Sequence, residues 1–550
     1  MTKFKTGPTL HPAIPAYAAE VAAGTLTRRE FLTRATALGA SAAAAYAALG
    51  LAAPAARSQP AVQPGGELRI QMEVLALKDP RSFDWPQMSN FTRGWLEYLV
   101  EYDRDGSFRP QLLEAWEANE DASEYILRLR PGVTWNNGDA FTAEDVVFNF
   151  TRWCDRNVEG NAMAARFEAL IDPETGRARD GAIEAIDPLT VKLTLNSPDI
   201  AVIANVSDYP AAVVHRAFSG DPLADPIGTG PYLPGNYEVG VGAELLRNHD
   251  HAWWGEGAAL DRIEFIDYGA DPAAWLSAVD ADEVDMVYET QGDFIAIISD
   301  IGWELSEAVT AGTVVIRTRQ DSDVNGQKPY EDARMRRALA MAVDNAVLLE
   351  LGYSDLGTVA EDTHVAPIHP EYAPLPPVPY DPAAARDLAV EAGFADITHE
   401  LISIDDGWRR ETADAAAAQL RDAGFDVTRT VIPGSTFWNN WTKYPFSTTD
   451  WGHRPLGVQA LNLAYRSTAT WNESGFKNPE FDSLLDEALT IADADQRREV
   501  MAKIETLMQQ EGVIIQPYWR SVFRHVKPGV VGAEAHPAFE IHVYKLGWAA

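Results

Sequence analysis

Apolar and polar residues alternate along several short stretches of the chain, and each stretch predicts a half-buried strand. Leu68, Ile70 and Met72 alternate with Arg69 and Gln71, Tyr125, Leu127 and Leu129 share one face opposite Glu124, Arg128 and Arg130, and Val191, Leu193 and Leu195 alternate with Lys192 and Thr194. Between these strands Thr142 caps a helix with Asp145 three residues on, which turns Val146, Val147 and Phe150 inward. Residues 124–195 therefore predict an α+β subdomain. Ahead of it, the mixed apolar segment 95–100 predicts a helix entering a first lobe. From residue 331 onward, helices with clear start and stop signals alternate with short strands. Asp381-Pro382 supplies an N-cap and an N1 proline, and Gly393 stands where a C′ glycine ends that helix. Residues 401–404 form an apolar strand, residues 411–423 a helix closed by Gly424, and residues 425–431 the next strand. Asn478-Pro479 opens another helix, with Phe481, Leu484, Leu485, Ala488 and Leu489 on one core-facing stripe. This alternation predicts a second α/β lobe with a mostly parallel sheet, over which the proline-rich residues 374–379 pass as a loop.

A chain of 550 residues is too long for one ordinary core and implies two or more lobes. Its single cysteine, Cys154, has no intramolecular partner and reads as a packed small side chain. Thr27-Arg28-Arg29-Glu30-Phe31-Leu32 matches a twin-arginine export motif, and the alanine-rich run 35–53 follows as its apolar core, ahead of a small-residue site at Ala53-Pro54-Ala55. Residues 1–55 are thus expected to stand outside the fold as a leader, with a disordered joint at residues 59–64. No later segment has the roughly 18 uninterrupted apolar residues that a membrane span needs, so the expected location is the periplasm. The formal charge is −36 and becomes −39 on loss of residues 1–55, which carry five Lys/Arg and two Asp/Glu. Such a surface repels phosphate backbones, argues against nucleic acid and anionic membranes as partners, and favours solubility.

Catalytic motifs are missing. No Gly-x-Ser-x-Gly elbow or Walker loop occurs, His399-Glu400 lacks a second helical histidine, and Gly228-Thr229-Gly230 lacks the third glycine of a dinucleotide loop. His249, His251, His364 and His369 are the candidate metal ligands, but His-x-His in an acidic surface without cysteine reads as a solvated loop, and no metal or cofactor is expected.

Three blocks carry a family resemblance. Glu114-Ala-Trp-Glu117 with residues 132–147, then Pro226-Ile-Gly-Thr-Gly-Pro-Tyr232, then Tyr330-Glu-Asp-Ala-Arg-Met-Arg-Arg-Ala-Leu339 resemble, in order, the family 5 extracytoplasmic solute-binding proteins of peptide, opine and nickel ABC importers. The resemblance implies an α/β fold of the two-lobed, hinged type II periplasmic-binding-protein class with an extra α+β subdomain. Lobe I would comprise residues 62–100, 216–318 and 513–550, with the subdomain at 101–215 and lobe II at 319–512. Two strands would cross between lobes near residues 314–323 and 512–518. The implied protein is a monomeric binding component, not an enzyme. It would capture a peptide or a peptide-like, carboxylate-bearing solute in an interlobe cleft and deliver it to ABC permease subunits. An opine or oligosaccharide ligand and a sensor role remain alternatives, with an exported hydrolase last.

The same resemblance points to site residues. Peptide-binding relatives place a Trp-x-x-Asp segment in lobe II whose carboxylate pairs with the ligand's amino terminus, and the matching residues here are Trp451, Gly452, His453 and Arg454. An arginine there repels an ammonium and suits a carboxylate, phosphate or sulfonate. In the loop after residues 401–404, Arg409, or alternatively Arg410, matches an arginine that holds the ligand carboxylate, unless it pairs with Asp405 or Asp406 instead. Trp408 and Trp451 would stack on the ligand, and Met88, Ser89 and Asn90 would line the cleft as a loop of lobe I.

Overall fold

Strand Glu67–Gln71 forms where its alternation predicts and pairs in parallel with Arg262–Ile266 on one side and Met286–Thr290 on the other. The computed structural model describes residues 10–51, 62–269, 271–491 and 493–550. The leader cleavage site at Ala53-Pro54-Ala55 and residues 59–61 of the joint lie outside the described residues, whereas Val62 bridges to Ala549 and Gln63 N–H donates to Trp548 O at 2.8 Å, so this part of the joint is ordered against the C-terminal segment. Two units are present: Met1–Ala308 with Leu489–Asp493 and Val522–Ala550, and Val309–Ala488 with Ala494–Ser521. The fold is the two-lobed type II periplasmic-binding-protein fold.

In the first unit the parallel core is extended by antiparallel strands Gly242–Arg247 and Tyr232–Glu238, and residues 523–526 close the far side against Met286–Thr290. Helices Pro272–Asp280 and Phe294–Ile301 cover it through Trp275, Val279, Ile298 and Trp303. The predicted subdomain is a four-stranded sheet, Leu113–Ala118, Glu124–Leu129, Thr190–Thr194 and Ile183–Asp187 in that order. Helix Ala143–Trp153 opens at Thr142 with the Asp145 capping box. Two of the sequence blocks meet here. Asn136 donates to Pro226 O at 2.8 Å while its main-chain N–H donates to Gly228 O at 2.8 Å. A Cβ on Gly228 would lie 1.9 Å from Trp95 O, so only glycine permits this approach.

That approach also explains a departure from expectation. Residues 95–100 are not a helix, because Gly230 and Tyr232 donate their N–H groups to Trp95 O and Gly94 O, which draws this backbone into the turn. The helix lies earlier, at Pro86–Thr92. Residues 10–51 also differ from expectation, since they form helices Ile14–Ala23, Arg28–Ala37 and Ala42–Ala48 packed within the first unit. Thr27 caps the second of these in a capping box with Glu30. The Thr33 hydroxyl donates to Gly106 O at 2.6 Å, and Phe108 N–H donates to the Thr36 hydroxyl at 2.9 Å.

In the second unit, residues 313–318 run antiparallel to Phe446–Trp451, and Thr398–Ile404 runs parallel to Asp426–Ile432 along its length. Thr398–Ile404 joins Phe446–Trp451 in parallel at Ile402 and Ser447. The sheet is thus mixed, with its parallel pairs toward the edge formed by Asp426–Ile432. Helix Gly407–Asp422 starts four residues earlier than its sequence signals suggest, and helices Pro382–Ala392 and Pro479–Thr490 follow their capping signals. The third block is structural too: Arg336 donates to Tyr330 O and Glu331 O and forks onto Glu511, tying helix Ala333–Met341 to helix Ala494–Glu511. The chain changes unit at 308/309 and 521/522, outside the expected 314–323 and 512–518, because residues 313–318 and 518–520 already pair with second-unit strands. A short return at Leu489–Asp493 was not foreseen.

Two buried histidines of the second unit contribute to its response to acid, with a sign opposite to that of Asp362, whose carboxyl burial raises to about 7. Burial, with His369 and Arg454 nearby, lowers His364 from its ordinary 6.5 to about 3, and burial lowers His399, held by the Tyr330 hydroxyl at 2.9 Å, to about 4. The unfolded chain binds these protons near pH 6.5 and the folded chain does not, so this stability is present above pH 6.5 and is lost as pH falls toward the folded values. The expected loss is about 1.4 kcal/mol per pH unit for each histidine, read from denaturant melts at pH 7, 6 and 5. His364→Asn, which tolerates the left-handed φ of 60° there, should flatten the profile. A His364→Asn profile with the same slope as the parent would refute this assignment.

Candidate ligand-binding site

Strands Thr398–Ile404 and Phe446–Trp451 lie side by side in parallel, so the loops leaving their carboxyl ends emerge together. Open α/β sheets place ligands at such ends. The loop at 405–410 is internally charge-paired. Arg409 Nε meets Asp450 at 2.7 Å, and another guanidinium nitrogen meets Asp406 at 2.7 Å. Arg410 pairs with Asp405 at 2.8 Å. An anion reaching Arg409 would have to compete with the carboxylates already on it. Trp408 is buried in the core, edge-on to Tyr353, with the Arg520 guanidinium 4.1 Å and that of Arg409 4.7 Å from its ring. These two guanidinium groups pack against its ring and hold it within the core of this unit.

Trp451, the last residue of its strand, is locked by its indole N–H, which donates to Glu473 at 2.8 Å, and by edge contacts with Trp441, Trp471 and His364. His453 Nδ1 accepts from Ala311 N–H at 3.0 Å, which fixes its neutral tautomer with hydrogen on Nε2. Arg454 is only 6 % exposed. Its guanidinium donates to the main-chain carbonyl of His453 at 2.9 Å, and its own carbonyl accepts from His369 Nε2 at 3.0 Å. His369 is thereby a strut under the Arg454 loop, because its Nδ1 also accepts from Ala366 N–H. Glu473, which anchors Trp451, was missed by sequence reasoning. No local pattern marks a glutamate whose partners stand at 317, 449 and 451.

In the first unit Met88, Ser89 and Asn90 lie on helix Pro86–Thr92 rather than in a loop, and all three are buried. Asn90 donates to Phe539 O at 3.0 Å and accepts from Ile541 N–H at 2.9 Å, which pins the C-terminal segment. A separate cavity of about 250 Å³ in this unit has Glu97 in its wall, bridged by the indole N–H groups of Trp253 and Trp254 at 3.1 and 2.7 Å. Of the sequence-named histidines, His251 bonds to Thr229 O at 3.2 Å, while His249 is exposed and separate from His364 and His369, which lie in the other unit. A cluster that sequence reasoning missed is His536, Glu540 and His542, whose ligand-type atoms lie within 4.8 Å of one another. Arg93 meets Glu540 at 2.7 Å and Lys545 meets His542 Nδ1 at 3.1 Å, and these cations oppose a metal there.

Comparison with known proteins agrees with this architecture. The model for bacterial extracellular solute-binding proteins, family 5 Middle, matches residues 107–473. Heme-binding protein A of Haemophilus influenzae is 24 % identical over 80 % of this chain and 84 % of that protein. The periplasmic oligopeptide-binding protein OppA of Salmonella typhimurium is 25 % identical over 84 % of this chain and 88 % of that protein. Among solved structures, Helicobacter pylori DppA in complex with peptide STSA superposes with a TM-score of 0.77 at 19 % identity, covering 89 % of this chain and 99 % of that one. AgaA from A. tumefacien R10 in complex with agropinic acid gives a TM-score of 0.78 at 20 % identity, covering 88 % and 98 %. The chain belongs to the bacterial extracellular solute-binding proteins, family 5.

Proposed function

We propose that this protein is the solute-binding component of an ABC importer and that its ligand is a small peptide-like or opine-like solute held through an anionic group. The observation that carries the reading is Arg454, a buried guanidinium in the loop that leaves strand Phe446–Trp451, where peptide-binding relatives place an aspartate. His369, His453 and the main-chain carbonyls around it hold that loop in place. Similarity to proteins named for oligopeptides and to one bound to agropinic acid supports the ligand class. Arg409 and Arg410 are the second-choice anion partners because carboxylates already engage them. Trp451 and Trp408 serve to position the loops. Met88, Ser89 and Asn90 brace the first lobe. Binding shifts an open population of the two lobes toward a closed one, which a membrane permease then receives. The protein acts as a monomer after export, and the twin-arginine motif at Arg28 and Arg29 supplies the route.

Each part has its own test. Native mass spectrometry of protein from its own periplasm identifies the retained solute, and calorimetry with that solute then reads the Arg454→Ala variant. Truncating one partner of a buried charge pair costs about 2–5 kcal/mol, so affinity should fall at least about tenfold. Full-strength binding by a folded Arg454→Ala protein would remove Arg454 as the anchor. Small-angle scattering should show a smaller radius of gyration at saturating solute, and an unchanged profile would count against closure. Replacing both Arg28 and Arg29 with lysine should leave the precursor in the cytoplasm, whereas an undiminished periplasmic yield would rule out the twin-arginine route.

A further inference from the structure

A carboxylate without any hydrogen-bond partner is buried in the second unit. Glu505, on helix Ala494–Glu511, is 0 % exposed, and neither of its oxygens has a hydrogen-bond partner. The Thr363 hydroxyl and the Ala373 amide stand beside it, but neither reaches it with bonding geometry. Glu361 faces the same place: its Oε1 accepts from the Tyr372 hydroxyl at 2.7 Å, while its Oε2 is buried without a partner, as is Thr363 Oγ1. Asp362, between them, has left-handed φ and sends its carboxylate elsewhere, accepting from Gln516 N–H at 2.6 Å and Asn345 Nδ2 at 3.1 Å. The neighbouring Glu371 shows what is lacking, since it has Arg497 at 3.5 Å and the Val458 N–H at 2.9 Å.

An unpaired charge in a dry interior is strongly unfavourable, so this group must acquire either a proton or a cation. A proton would give Glu505 one donor and leave the Glu361 charge beside it. A divalent cation would cancel both charges and engage all four orphaned oxygens. The donors are carboxylate and hydroxyl oxygens with no nitrogen or sulfur among them, which selects a hard cation, and flexible coordination by bidentate carboxylate selects calcium over magnesium.

We propose that Glu505, Glu361 and Thr363 form a structural calcium site that clamps the 361–373 loop to helix Ala494–Glu511. The cation replaces the absent guanidinium, and the loop that carries His364 and His369 gains an anchor at its start.

The test uses the full chain, stripped with EDTA and titrated with calcium chloride, magnesium chloride serving as control. One calcium per chain should bind with a Tm rise of at least about 3 °C at saturation, while magnesium gives a smaller rise. Glu505→Gln keeps the shape but removes one ligand charge, and should weaken calcium binding at least about tenfold. Thr363→Val supplies a second variant should Glu505→Gln fail to fold, and it should weaken binding too. A wild-type protein blind to calcium overturns the proposal and leaves a shared proton as the reading. Equal calcium response in wild type and both variants also overturns it, since the binding would then belong to the acidic surface of a chain with 81 Asp and Glu residues.

Discussion

The second unit depends on one buried ion pair. Arg317 Nε meets Glu473 at 2.9 Å, and both side chains are inaccessible to solvent. The remaining guanidinium nitrogens donate to Tyr444 O and Trp441 O, and the carboxylate also receives the Thr449 hydroxyl and the Trp451 indole N–H. Every polar atom of this pair is therefore used, the condition under which a buried ion pair repays its desolvation. The pair fixes two adjacent antiparallel strands, the 441–445 turn and the loop bearing Glu473 to one another. Removing one partner of such a pair costs about 3–5 kcal/mol. The orientation of Trp451, and through it the start of the Arg454 loop, follows from this single arrangement.

The three sequence blocks act as hydrogen-bonding and packing devices. Asn136 and Gly228 stitch the subdomain to the first unit, and Arg336 joins two helices through main-chain carbonyls and Glu511. Family resemblance of this kind reports scaffold geometry. The proposed anchor, Arg454, stands instead in a loop where this chain departs from the family pattern.

Elements with local causes were legible in the sequence. The capping box at Thr142 and Asp145, the Asp381 and Gly393 boundaries, and the alternating strands at 124–129 and 190–194 each depend on neighbours a few residues away. Residues 95–100 were misread because distant main-chain donors at Gly230 and Tyr232 decide their conformation. The site was legible as two loops but not as a set of contacts. The sequence does not say what the Trp408 ring meets, because its contact with Arg520 is made by a strand more than a hundred residues away. The same holds for Glu473 and for the His536, Glu540 and His542 cluster, whose partners come from other segments of the chain.

The path of the chain between units governs when the molecule can fold. Residues 523–526 pair with Met286–Thr290 in the first unit, so that sheet lacks a strand until the last few dozen residues have been made. The second unit likewise waits for residues 494–521. At about 5–20 residues per second, the ribosome holds both halves incomplete for most of the time needed to translate 550 residues. Neither lobe is a contiguous segment that could be expressed alone. Any factor that shields this protein during synthesis must therefore cover two unfinished cores at once until residues 494–526 have emerged.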